Sequence, residues 1–353
     1  MWKHTWSIPV SLAIVLAGCS QSEERDSSTD QSTSVPKTAK TVESNVVLKE
    51  LRTPWNIEKN EDTFYITERE GTILKGSSKE QVRMELDLSE NVVAEGEGGL
   101  LGMALDPDFS DNQTAYVYHT YEKNGTLYNR VIEIVEQDDT WKETRVLLDE
   151  IPGASIHNGG RIEIGPDDFL YVTAGDAAVP ENAQKLSSLA GKILRMKLDG
   201  SPADGNLREY VYSYGHRNPQ GLVFVDQTLY ATEHGQSGHD EINRIESKNY
   251  GWPLIEGTEK QQGLVTPWYE VGEQSVAPSG VAALDGKLYF GTLVGQSLRS
   301  IETSTSKVEQ VVSDRGRIRD VMVDGEDLYY ITNNTDGRGN PGDEDDVLVR
   351  LMP

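Results

Sequence analysis

Apolar and polar positions alternate along most of the chain with a period of two, and the alternation recurs as one short pattern. A polar turn is followed by apolar, Tyr and apolar positions and then by Thr or another small residue. The copies are DTFYITE around Tyr65, NQTAYVYHT around Tyr116, DDFLYVTAGD around Tyr171, DQTLYATEHG around Tyr230, DGKLYFGTL around Tyr289 and EDLYYITNN around Tyr329. Alternation rich in β-branched and aromatic residues after Asp/Gly turns predicts half-buried strands and not helices. The six copies lie about 40 to 59 residues apart, room for a four-stranded sheet plus a functional loop, and helical periodicity is scarce. The expected fold is all-β, a six-bladed β-propeller of four-stranded antiparallel blades, with a pair of sandwiches as the rival arrangement. Ring closure is favoured because it leaves no long sheet edge exposed.

The N-terminal region breaks the alternation. Lys3 and His4 precede an apolar run over residues 8–17, too short to span a bilayer as a mature helix, so residues 1–18 read as a signal peptide. The run ends Leu16-Ala17-Gly18-Cys19, the small-residue approach to a cysteine that bacterial lipoprotein processing requires. Cys19 is the single cysteine, which makes it the expected lipidation site and rules out an intrachain disulfide. Residues 19–44 are polar and rich in Ser and Thr, and they read as a flexible tether ahead of a globular domain at 45–353. The expected location is extracytoplasmic, at a bacterial cell membrane, held through the lipid anchor only.

The formal charge of −25 over 353 residues repels phosphate backbones, so no nucleic-acid partner is expected. The same acidity offers oxygen ligands of the kind calcium prefers.

Polar outliers cluster just after the Tyr strands or in the loops between repeats. His157 sits in a Gly-rich turn, and Asp176 follows at the end of the next apolar run. An imidazole oriented by a carboxylate can take a proton from a hydroxyl, although a structural histidine fits the same turn. Arg217 and Asn218 present a guanidinium fork and an amide suited to a carboxylate-bearing planar ligand, or equally a salt bridge between blades. Arg317 and Arg319 lie two apart on an expected strand and would share a face. Asp240 and Glu241, with Asn243, Tyr250 and Glu256 nearby, gather hard oxygen donors, or form a solvated acidic loop.

Taken in order, PWNIE at Trp55, ITEREG at Thr67, GEGGLLGMALDPDF from Gly96, HNGGR from His157, Gly175-Asp176, LAGKILRMKLDG, GHRNPQG, EHG…HDEIN and NYGWP from Asn249 resemble the glucose/sorbosone dehydrogenase family of soluble quinoproteins. The similarity runs from about Leu51 to the C-terminus. It implies an aldose dehydrogenase that uses pyrroloquinoline quinone (PQQ) and calcium to oxidise the C1 hydroxyl of a sugar to a lactone. His157 would be the general base helped by Asp176, and Arg217, Asn218, Arg317 and Arg319 would contact PQQ, with Glu97 where relatives commonly have glutamine. Gly235 and Gln236 would offer backbone carbonyls to the cofactor's calcium, and Asp240, Glu241, Tyr250 and Glu256 would form a separate structural calcium site. Two positions depart from the family: Gln236 replaces a proline, and Val294 stands where well-known members carry a lysine. A calcium-dependent propeller lactonase and a non-catalytic sugar-binding propeller are the alternatives, and no motif specifies the electron acceptor.

Overall fold

The structure, a computed structural model, describes residues 44–352. The expected signal peptide at 1–18, Cys19 and all but the last residue of the expected tether lie outside the described residues. Among the described residues nearly all regular structure is strand, with one short helix at Phe109–Asn112 and one 3-10 turn at Pro180–Gln184.

Three sheets, within residues 162–214, 219–270 and 278–312, each hold four consecutive antiparallel strands. In a fourth sheet Ile318–Asp324, Asp327–Thr332 and Leu348–Leu351 are completed by the N-terminal strand Ser44–Leu48, with Ser44 opposite Leu351. An eight-stranded sheet joins two antiparallel meanders, at 54–87 and 100–152, through a parallel pairing of Gln81–Asp87 with Thr140–Pro152. The arrangement is that of a β-propeller. Sharing the last sheet between both ends of the described chain pairs edges that would otherwise stay open.

All six repeated tyrosines fall in the second strand of a four-strand meander. Their rings pack across to the next meander in the chain. Tyr65 joins Leu100, Met103 and Val117, Tyr116 joins Ile162 and Leu170, and Tyr171 joins Leu222 and Leu229. Tyr230 packs with Val281 and Leu288, Tyr289 lies against Val321 and Leu328, and Tyr329 returns to Ile57 and Ile66 of the first. The motif that reveals the repeat is thus the residue that holds neighbouring sheets together. Its hydroxyl reaches polar turns at the outside, as Tyr116 does to Asp106 (2.6 Å) and Tyr171 to Asp167 (2.8 Å).

The first strands of the meanders lie beside one another around a common channel. Five of them carry an irregularity in pairing just after they begin, between Pro54/Asn56, Leu100/Met103, Pro219/Gly221, Pro278/Val281 and Ile318/Asp320. A bulge leaves one residue unpaired and re-aims its side chain. Further along the same strands, Glu58, Glu163 and Asp320 line the other end of the channel. Burial, then the charges of Glu163 and Asp320, push the Glu58 carboxyl up to about 8, and burial pushes Glu163 up to about 8 as well.

A carboxyl raised from its ordinary 4.5 to about 8 holds a proton in the folded chain that the unfolded chain gives up, so its stabilising contribution is lost as pH rises through that window. Glu163→Gln is therefore expected to melt above the wild-type chain near pH 8.5, with the gap shrinking toward pH 5. Melting curves taken across that range test this, and a gap that does not change with pH contradicts it.

Candidate active site

Antiparallel pairing places the start of each first strand beside the end of its second strand. A cavity of about 250 Å3 opens there, just under the ~300–1,000 Å3 usual for small-molecule sites. This explains why the sequence's polar motifs follow Tyr strands or precede the next repeat: both places reach the same end of the channel.

His157 lies at the wall of this cavity with a left-handed backbone, φ +59°, which a non-glycine residue adopts only under constraint. Its constraint is close packing of the turn against the strand Phe169–Ala174 and the residue that follows it. A Cβ at Gly175 would stand 2.0 Å from the His157 carbonyl oxygen, and one at Gly159 would stand 2.7 Å from Gly175 N. The approach sets His157 Nδ1 2.8 Å from Asp176 Oδ1. Asp176 is fully buried, and its carboxylate also accepts from Ala178 N–H (2.9 Å) and from the Trp252 indole N–H (2.9 Å). An acceptor in that position keeps the proton on Nδ1, leaving Nε2 as the ring's basic lone pair.

Five guanidinium groups line the same cavity: Arg69, Arg217, Arg317, Arg319 and Arg338. Arg317 donates to the Leu293 and Asn333 carbonyls and to Asp336 (2.8 Å), and Arg319 donates to Gln220 (2.8 Å). Both share the cavity as expected, but not through strand alternation. Arg317 precedes the strand Ile318–Asp324, and Arg319 occupies its irregularity, as Trp55 and Gln220 occupy theirs. Burial pulls both groups below their ordinary values, and Arg319 also feels the Arg317 charge. Asn218 is buried and accepts from Gly159 N–H (3.1 Å), fastening the His157 turn to the Arg217 loop.

Two buried polar atoms here have no protein partner, Arg217 Nε and His234 Nε2. Burial pushes His234 down to about 4, so at neutral pH its ring is uncharged and one nitrogen faces the cavity unpaired. Buried polar atoms left so are costly unless a ligand or water engages them. Glu97 is the carboxylate of the lining; it accepts from His157 N–H (3.1 Å) and from Arg338 (3.2 Å). Burial alone would raise it, but the His157 N–H and the neighbouring positive charges outweigh burial and hold it below its ordinary range.

The residues expected to bind metal separate into two groups. Glu241, Tyr250 and Glu256 share a much smaller cavity of about 20 Å3 with Glu233 and Gly235, and burial together with the Glu233 charge pushes Glu241 up. Gly235 and Gln236 are pinned through their N–H groups to Asp240 (2.9 Å) and Glu256 (3.1 Å). Asp240 does not line that cavity. Its carboxylate is fully buried and accepts from Gly235 N–H, Ser275 Oγ–H, Val276 N–H and Ala277 N–H, so it fastens this loop. The Tyr250 hydroxyl is likewise engaged, by Arg244 and Glu246.

Arg69, His234, Gln220, Trp252 and Arg338 carry no assigned role in the sequence reading. Four of them sat inside its motifs ITEREG, EHG, GHRNPQG and NYGWP, so a signal was present; Arg338 had none.

A family model, Glucose / Sorbosone dehydrogenase, matches residues 51–349. The aldose sugar dehydrogenase YliI of Escherichia coli is 30% identical over 84% of this chain and 91% of its own length. Quinoprotein glucose dehydrogenase B of Acinetobacter calcoaceticus is 31% identical over 68% of this chain, and the match spans 59% of that protein. Among solved structures, the PQQ-bound aldose sugar dehydrogenase of Streptomyces coelicolor superposes with a TM-score of 0.82 at 35% identity, covering 88% of this chain and 98% of that one.

Asp240→Asn would turn an amide N–H₂ toward donors that now meet a carboxylate, at a cost of about 2–3 kcal/mol. The expected loss in denaturant unfolding is the same with calcium and with chelator, as a fastener requires; a loss that disappears in chelator would mark Asp240 as a metal ligand instead.

Proposed function

Since the chain belongs to the glucose/sorbosone dehydrogenase family, we propose that it oxidises the C1 hydroxyl of aldose sugars to lactones with PQQ as cofactor and calcium assisting. The observation that carries this reading is the pairing of an oriented imidazole with five guanidinium groups in one cavity. A quinone bearing several carboxylates fits such a lining, and the unpartnered Arg217 Nε–H is a donor that a ligand carboxylate could engage. A calcium-dependent lactonase centre would need several metal-binding oxygens at this place, and the cavity's lining offers the carboxylate of Glu97 among arginines.

PQQ, when bound, supplies an electrophilic quinone able to accept a hydride. In this chain Arg217, Asn218, Arg317 and Arg319 would hold it, with Glu97 beside it. Gly235 and Gln236 would offer carbonyls to a calcium ion that polarises the quinone oxygens. Glu241, Glu256 and Tyr250, the last through its backbone, would hold a second calcium, and the crowding of Glu233 against Glu241 is a repulsion that a cation relieves. His157 Nε2 takes the proton of the sugar's C1 hydroxyl as the C1 hydrogen leaves with its electron pair, and the C1–O bond becomes the lactone carbonyl. Asp176 stabilises the charge that forms on the ring and keeps its orientation. Trp252, bonded to Asp176 and lying under Arg217 (5.6 Å to the ring centre), ties the base to the cofactor wall.

The propeller is read as six-bladed, supported by six tyrosines at equivalent strand positions and by packing that returns from the last meander to the first. We also propose that residues 1–18 are a signal peptide, that Cys19 carries lipid and that a tether to residue 44 holds a membrane-anchored extracytoplasmic enzyme, supported by the Leu16-Ala17-Gly18-Cys19 sequence.

The test is to reconstitute the full chain with PQQ and calcium and follow aldose-dependent dye reduction. His157→Gln is expected to lower kcat by about 10²–10⁴-fold while PQQ absorbance stays with the protein on gel filtration. Wild-type protein that retains PQQ but reduces no dye with any aldose would overturn the proposal.

A further inference from the structure

The five guanidinium groups differ in how they are held. Arg69, Arg317 and Arg319 are buried and fixed at least in part by neutral carbonyl or amide acceptors. Arg338 is different. Its side chain is 47% exposed, it stands on the loop after Asp327–Thr332, and its guanidinium meets only carboxylates, Glu97 Oε1 at 3.2 Å and Asp336 Oδ2 at 3.2 Å.

These two partners are unequal. Asp336 is fixed, because its side chain is fully buried and Arg317 holds it at 2.8 Å. Glu97 belongs to a distant loop, 241 residues away in sequence, and its bond to Arg338 crosses the mouth of the cavity. Exposed ion pairs of this kind contribute little to stability and exchange readily. On one side of the arginine Gly337 has φ +82° with nothing within 4 Å of an added Cβ, while on the other Gly339 packs against the Asn334 backbone, so the exchange is a movement of the long Arg338 side chain. Val294, at the same mouth, is 58% exposed and offers no charge.

We propose that Arg338 is a movable anion-gripping residue that exchanges Glu97 for a carboxylate of the cofactor on loading. It rests on the PQQ reading above and adds to it the residue that serves where Val294 cannot. Unpaired, the Glu97 carboxylate would repel a polycarboxylate entering the cavity. Paired with Arg338 it is masked until the ligand arrives, and Asp336 keeps the guanidinium within reach throughout. A sugar acid presents the same chemistry, and cofactor binding measured without sugar separates the two sources.

The experiment titrates the full chain with PQQ in calcium buffer, without sugar, following tryptophan fluorescence, for wild type, Arg338→Gln, Arg338→Lys and Glu97→Gln. Arg338→Gln is expected to weaken binding about tenfold or more, with a shallower salt dependence. Arg338→Lys should recover most of the loss. Glu97→Gln, which frees Arg338 and removes a like charge, should bind at least as tightly as wild type. Thermal melting verifies that each variant is folded. Wild-type binding with Arg338→Gln within twofold of it, or a tenfold weakening in Glu97→Gln, overturns this inference and leaves the functional reading standing. A wild-type chain that binds no PQQ overturns both.

Discussion

Concentrating positive charge at one end of the channel is the constraint that the rest of the site answers. Arginines brought together in a low-dielectric space repel one another, and burial adds its own penalty, as the lowered Arg317 and Arg319 show. The protein offsets part of this with Asp336, Glu97 and a set of carbonyl and amide oxygens, yet leaves Arg217 Nε without any acceptor. A lining so arranged is strongly electropositive and suits an anionic ligand. That is a stronger statement than any single arginine supports, because each alone is explained by its own protein acceptor.

The propeller makes such a concentration possible by repetition. Each meander delivers the start of one strand and the end of the next to the same rim, so residues far apart in sequence meet with little additional chain. Bulges at those starts turn Trp55, Gln220 and Arg319 toward the channel, where a regular ladder would have alternated them in and out. The Tyr strands supply the complement. Each ring spends its area on the neighbouring sheet, so the rigidity that holds the rim is generated away from the chemistry.

What the sequence made legible follows from this division. The Tyr strands were readable because their pattern is local, and the His157, Arg217 and Arg317 motifs were readable because each is compact and set in recognisable turns. The acidic stretch at 240–256 was readable as oxygen-rich but not as two structures. Nothing local distinguishes Asp240, consumed by four donors from residues 235 and 275–277, from Glu241, which faces a small cavity beside Glu233. Arg338 was hidden for a related reason. Its partner Glu97 is most of the domain away, and its own surroundings of Gly, Asn and Asp read only as a turn.

His157 and the mouth of the cavity are joined. A continuous set of contacts runs from Arg317 to Asp336, to Arg338, to Glu97 and on to the backbone N–H of His157. The last contact falls on a residue whose φ of +59° is maintained by packing and by its hydrogen bonds, so the Glu97 carboxylate helps to keep the imidazole where Asp176 can orient it. An arginine that leaves Glu97 for a ligand would concentrate the carboxylate's remaining charge on the His157 N–H, strengthening that bond at the moment the cavity fills. Loading and preparation of the base would then be one event, carried by charge redistribution with no change in the surrounding sheets.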